Sequence, residues 1–212
     1  TISTIRKPKR KRNSRNYVKN WSGTDITISA TYAPMKDFSD TSRLNKSERD
    51  TAVGAGKLIA LWDGEKVKLD RAVTSFVTTT GNKGDSFKKI KLVEDMDMIK
   101  TDIQSTIQDD YIGKYANSYD NKCLLITAIN GYFKTLVSEG VIESGTAEVD
   151  IESQRTYLES LGKAVTVNGF TKKPDELSDD EVKVANTGSH VFLKATVVLT
   201  DAIEDVNLTI NV

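Results

Sequence analysis

The sequence predicts an α+β fold: a small mixed or antiparallel sheet packed on two long antiparallel helices, with an extended strand at its C-terminal end. Three observations carry this. Residues 88–142 hold two successive apolar stripes at steps of three and four, the signature of helices that each bury one face. Short β-prone runs precede them, punctuated by Asp63-Gly64 and by the GNKG stretch at 81–84. Two further β-rich runs, 190–200 and 206–212, close the chain.

Of the 212 residues, 38% are hydrophobic and 28% charged, a composition able to bury a core. No apolar run approaches the ~20 residues that a membrane helix needs. Residues 1–20 hold no apolar stretch of the kind found in a secretory signal. The single cysteine, Cys123, excludes an internal disulfide framework and fits a reducing compartment. The formal net charge is zero but unevenly spread. Residues 1–20 carry eight basic side chains and no acid, leaving 22 basic against 30 acidic residues, a net −8, in the remainder. Residues 1–22 therefore read as a basic segment too poor in apolar groups to fold alone.

From Asp25 the alternation of Ile26, Ile28, Ala30 and Tyr32 with polar residues predicts a half-buried strand, ended by Pro34. Ser47 predicts a helix N-cap, with Asp50 reaching back in a capping box. That helix should stop at Gly54–Gly56. Residues 58–69, LIALWDGEKVKL, predict a hairpin with Asp63-Gly64 at the centre of a type I′ turn. Residues 72–80 predict another strand. The first long helix shows Leu92, Met96, Ile99, Ile103 and Ile107 on one face and breaks near Gly113. The second starts near Asp120, buries Leu125, Ala128, Ile129, Tyr132, Leu136 and Val137, and ends with Gly140 at C′. Residues 153–162 predict a short helix stopped by Gly162, and the VNGFTKKP stretch a turn region. Ser178 and Glu181 predict a capping box. Residues 190–200 form a long β-rich run. In 206–212, Val206, Leu208, Ile210 and Val212 alternate strictly with Asn207, Thr209 and Asn211. This last strand can pair within its own domain, with residues 191–200, or add to the sheet of a partner.

Chemistry is thinly supplied. The stretch TAVGAGKLIA (51–60) invites a phosphate-loop reading, but Lys57 is followed by Leu58 and no glycine stands at the required spacing from Gly56. The glycines also follow a helix, at the wrong end of its dipole for an anion. A glycine stop is the reading that fits. The basic run RKPKRKR could attract nucleic acid, yet no aromatic residue lies between Arg6 and Arg15 to stack on bases. His190 has no second histidine with which to share a metal. Cys123 has no histidine near in sequence to act as its base. Glu94, Asp95 and Asp97 read as carboxylates at a helix start. No catalytic, cofactor-binding or metal-ligating set emerges.

Three long stretches carry a resemblance: KKIKLVEDMDMIKTDIQSTIQDDYIGKYANSYDNKCLLITAINGYFKTLVSEGVI (88–142), AGKLIALWDGEKVKLDRAVTSFVTT (55–79) and VFLKATVVLTDAIEDVNLTINV (191–212). Together they resemble the C-terminal part of contractile tail sheath proteins, nearest in look to those of defective prophages and phage-tail-like bacteriocins of Gram-positive bacteria. The likeness runs from about Gly23 to the end. It implies that 23–212 is a sheath C-terminal domain with an insertion at about 143–189. It also implies a structural, non-enzymatic subunit without cofactor or small-molecule substrate. Such subunits polymerise around a tail tube and contract to drive it through a target envelope. The partners implied are other sheath subunits, the tail tube protein and the baseplate, with no membrane. The implied location is the host bacterial cytoplasm during assembly, then the tail of a virion or bacteriocin particle.

In that family, terminal arms add strands to neighbouring subunits. This matches Val206, Leu208, Ile210 and Val212 as an inter-subunit strand. The polar end of the helical hairpin, Lys114, Asn117, Tyr119, Asp120, Asn121 and Lys122, is the candidate tube-facing group; a solvated loop is the plain alternative. Family members have a larger portion ahead of this region, so the chain reads as a fragment of such a subunit. Residues 1–20 also lack the apolar helix that the family pattern leads one to expect before Gly23-Thr24-Asp25. The alternative function is a nucleic-acid-binding module that uses the basic N-terminal segment.

Overall fold

The computed structural model describes residues 26–81 and 83–211. These fall into two units, one built from the described residues up to Lys100 together with 200–211, the other from Thr101–Leu199. The basic segment 1–22 lies outside the described residues.

In the first unit, residues 26–33 are irregular where a strand is expected over 25–33, and Asp25 lies outside the described residues. Tyr32 takes φ 59°, which no strand allows, so the alternation of faces breaks there. Ala30, Ala33 and Met35 turn inward, while Ile28 and Tyr32 are exposed. Helix α1 (Lys46–Gly54) is capped by Asn45 and Glu48, two residues ahead of the expected Ser47–Asp50 box. Asn45 Oδ1 accepts from the Glu48 amide at 3.0 Å, and Glu48 Oε2 from the Asn45 amide at 2.8 Å. The helix stops as expected, and Gly56 follows it at φ 68°.

Strands β1 (Ala60–Trp62) and β2 (Val67–Leu69) form the expected hairpin. Its turn is shifted by one residue. The central pair is Gly64-Glu65, and positive φ falls on Gly64 alone, the glycine position of a II′-type turn. Asp63 instead stands at the first corner, where its carboxylate accepts from the amides of Glu65 and Lys66 at 2.9 and 2.8 Å. Residues 72–80 make no strand. They touch neighbours through isolated bridges, Val73 with Lys89 and Thr80 with Lys83. β-Propensity without a continuous partner strand leaves a run irregular. The core of this unit is small: Ala30, Ala33, Met35, Val67, Leu69 and Ala72, with Ala60, Trp62 and Ile90 packed against it.

Helix α2 spans Ile90–Thr106 and continues as a π-helical turn, Ile107–Tyr111. Gly113 follows at φ 76°. Since the helix begins at Ile90, Glu94, Asp95 and Asp97 lie beyond its first turn. The dipole reading of that cluster gives way to a buried ion pair, with Lys91 Nζ 2.7 Å from Asp95 Oδ2. Burial pushes the Asp95 carboxyl up, and the Lys91 bond opposes it.

In the second unit, α3 runs Tyr119–Ser138 with Ser118 as N-cap and Gly140 at φ 74° beyond its end. Its buried face is Lys122, Leu125, Ile129, Phe133 and Leu136. Ala128 and Val137, expected in the stripe, are exposed. The end of α2 and α3 share an apolar lining that includes Ile103, Ile107, Tyr111, Leu125 and Ile129. Tyr132 donates to Asp102 at 3.0 Å, as antiparallel neighbours require.

The main layer under α3 is the strand β3 (Ile142–Val149), which sequence reading does not anticipate. The stretch that follows contains α4 (Ile151–Ser160), a hairpin of β4 (Val165–Val167) and β5 (Phe170–Lys172), and α5 (Asp179–Val184). The hairpin stands where sequence reading expects a turn region. Asn168 and Gly169 have φ 52° and 83°, the double positive φ of a I′ turn. α5 carries the expected Ser178–Glu181 capping box. Leu158, Val167, Leu177, Val182 and Ala185 form a second small core. The last strand, β6 (Leu193–Leu199), returns to pair antiparallel with β3, from Ile142 opposite Leu199 to Val149 opposite Leu193. The α+β class holds, with its strands dealt into three two-stranded antiparallel sheets among the described residues.

Candidate functional site

Beyond β6 the chain takes no regular secondary structure to its last described residue and forms no strand pairing among the described residues. The apolar positions of this arm point into solvent: Ile203 is 88% exposed, Val206 78%, Leu208 79% and Ile210 74%. Burying one such side chain is worth about 1.5–3 kcal/mol, so a row of them in water is costly unless something covers it. Val212, the fourth position of the expected strand, lies outside the described residues. Among the described residues, 206–211 form no strand pairing with 191–200, and β6 pairs with β3.

The root of the arm is held differently. Lys91 Nζ donates to the Thr200 carbonyl at 2.7 Å. Lys89 pairs with Asp201, and Arg71 with Asp205. Glu204 Oε1 accepts from Ser29 Oγ at 2.7 Å and Thr31 Oγ1 at 2.6 Å, while its Oε2 lies 3.4 Å from Lys89 Nζ and 3.6 Å from Arg71 Nη1. Burial pushes the Glu204 carboxyl up, but the bonds from Thr31 and Ser29 and the Lys89 ammonium outweigh it and hold it below its usual value. Sequence reading names none of these anchors. The only sequence signal is the acidic pair Glu204-Asp205 just before the apolar alternation.

The candidate tube-facing group divides into two. Lys114, Tyr119 and Asp120 are exposed. Asn117 is half-buried, and its amide nitrogen donates to Gly188 O at 2.7 Å, His190 O at 2.9 Å and Thr187 Oγ1 at 3.1 Å. Asn121 donates to the Ala116 carbonyl at 2.8 Å. Lys122 is 3% exposed and bonds Gln154 Oε1 at 3.3 Å, and burial pushes its ammonium pKa down. Asn117, Asn121 and Lys122 thus shape the loop, while Ile112 and Tyr115, which sequence reading passes over, are exposed beside the first three.

The remaining candidates take structural places. Gly56 packs closely against Ser75, Thr74 and Val77 in the turn that ends α1. His190 stacks near Tyr157 and Phe192 at ring distances of 4.8 and 6.3 Å. Cys123 is half-buried. Among the described residues, no three His, Cys, Asp or Glu side chains gather to hold a metal ion, and no helix is long and apolar enough to cross a membrane.

Residues 82–212, more than half of the chain, match the model of the phage tail sheath C-terminal domain. A tail sheath protein of Clostridium phage phiCD119 is 38% identical over 188 residues, covering 88% of this chain and 50% of that protein. The chain therefore spans about half the length of the curated relative it matches. Three solved structures share the fold. A sheath tail protein from Desulfitobacterium hafniense has a TM-score of 0.54 at 16% identity, covering 84% of this chain and 38% of that one. A sheath tail protein from Listeria innocua has 0.52 at 15%, covering 83% and 39%. A chain of an anti-feeding prophage baseplate has 0.62 at 14%, covering 93% and 48%. No comparison supports a nucleic-acid-binding module. By family match and by sequence identity, the chain belongs to the phage tail sheath proteins.

Proposed function

We propose that residues 23–212 serve as the C-terminal domain of a contractile sheath subunit, one that packs with other copies around a tail tube and contracts to drive it through a target envelope. The observation that carries this is the arm. Val206, Leu208 and Ile210, with Val212 continuing the pattern in sequence, present an alternating apolar face and a backbone with no strand partner among the described residues. A segment of that kind is completed by the sheet of another copy, through main-chain hydrogen bonds and alternate side-chain pockets.

Contraction on this reading is a rigid-body shift of subunits whose arms remain paired. Lys114, Tyr119 and Asp120, held in place by Asn117, Asn121 and Lys122, form a wet and reversible contact with the tube. The baseplate is the further partner at one end of the polymer. The role is structural and involves no catalytic step. Assembly takes place in the host bacterial cytoplasm, and the product resides in the particle tail.

Deleting Val206–Val212 from the whole subunit tests the arm. Negative-stain electron microscopy should then show no sheath polymer. Sheaths of normal length and diameter would exclude the arm as an assembly element.

A further inference from the structure

We propose that Thr200–Asp205 is a clamped root, so that the arm hinges between Asp205 and Val206. The clamp is separate from the assembly role, because it concerns how a single copy holds its own arm.

The cradle for the root is built independently of it. Ser29 Oγ bonds Thr31 Oγ1 at 3.0 Å and accepts from the Thr31 amide at 3.1 Å. The Ala72 amide donates to Thr31 Oγ1 at 3.1 Å. Arg71 lies over the Tyr32 ring at 5.9 Å, and Tyr32 is pinned by its amide to the Leu69 carbonyl at 2.9 Å. Two hydroxyls and three cations, Arg71, Lys89 and Lys91, are thus gathered beside the small core of the first unit.

Into this cradle the root places successive groups: the Thr200 carbonyl, the Asp201 carboxylate, both carboxylate oxygens and the carbonyl of Glu204, and the Asp205 carboxylate. Glu204 is the centre, since it alone bonds the hydroxyl pair and approaches two cations. Charge-assisted bonds of this density hold a segment that has no sheet partner. From Val206 to the last described residue, no side chain makes a hydrogen bond or ion pair among the described residues. The strand-forming positions therefore swing about one fixed point, which narrows the volume the apolar face can search for another copy.

The test is backbone 15N relaxation on the whole, unassembled chain, so that the result does not depend on whether the arm engages another copy. In the wild type, heteronuclear NOE values should stay at the level of the folded body through Asp205 and drop from Val206. In Glu204→Ala the drop should move back to Thr200–Asp201. Glu204→Gln, which keeps the shape but loses the attraction to Lys89 and Arg71, should give a partial shift. Unchanged amide shifts over 60–62 and 67–69 show that the unit holding the root remains folded. A wild-type drop already at Thr200, or a drop that stays at Val206 in both variants, would overturn the clamp.

Discussion

Phe133 of α3 lies directly against the bare backbone of Gly145 in β3, so close that a Cβ on Gly145 would stand 2.8 Å from Phe133 Cγ. Phe133 is 1% exposed and belongs to the face by which α3 covers β3. Gly145 therefore sets the spacing between helix and sheet, since real side chains do not approach so closely.

Gly145→Ala should destabilise the fold by about 1–3 kcal/mol, the usual cost of overpacking. Phe133→Leu in the same chain should return part of that, because the two sites share one space. Equilibrium urea denaturation of the single and double variants checks both statements. Additive losses would show that the contact is not what spaces the layers.

Gly54 and Gly56, close neighbours at the end of α1, should respond with opposite sign. At Gly56, φ is 68° and a Cβ would meet Ser75 Cα, Thr74 O and Val77 Cγ1 at 3.0 Å each. Gly56→Ala should cost about 1–3 kcal/mol. Gly54 is the last residue of α1, with no atom within 4 Å of where a Cβ would stand and no positive φ. Gly54→Ala should be neutral or stabilising by up to about 1 kcal/mol. Thermal unfolding of the two variants decides it.

The α+β class, α2 and α3, the Gly140 and Gly162 stops and the Ser178 cap were legible because each is written in residues close in sequence. The Asn168-Gly169 turn was equally legible, and its hairpin could have been read from that pair alone. Strand β3 was not. Its residues, IESGTAEV, include Gly145 and two glutamates, poor β-formers that become a strand only through the distant β6. The same holds for the arm. Its alternation was visible, but its anchors were not, because Ser29, Arg71 and Lys89 meet Glu204 across very long sequence separations and leave no local pattern. At the α1 cap two capping signatures competed, and the longer Glu48 side chain reached back where Asp50 does not.

Stability in acid should depend on Glu181. The Lys172 ammonium, together with the Ser178 amide, lowers its carboxyl from the ordinary 4.5 to about 2. A depressed folded value gives a contribution fully present above about 4.5 and lost as pH falls through about 2. Glu181→Gln should flatten the wild-type decline in melting temperature between these limits and leave the neutral range with a small, constant loss. A variant profile parallel to the wild type would contradict this.

Asn117 should behave as a brace and not as a contact residue. Asn117→Ala removes bonds to Thr187, Gly188 and His190 and should cost about 1–3 kcal/mol. Hydrogen exchange should rise at the loops near 114–118 and 187–190 together. Lys114→Ala, an exposed change, should leave stability within about 0.5 kcal/mol.

If one face of the arm is made to be covered by another copy, a charge should be ruinous on that face and harmless on the other. The decisive comparison sets Leu208→Asp/Ile210→Asp against Asn207→Asp/Thr209→Asp in the whole subunit. Both pairs add the same charge, so they differ in the face that carries it. Electron microscopy should find no sheath polymer for the apolar-face pair and normal sheaths for the polar-face pair. Equal assembly of the two, or loss in both, would contradict a one-sided arm.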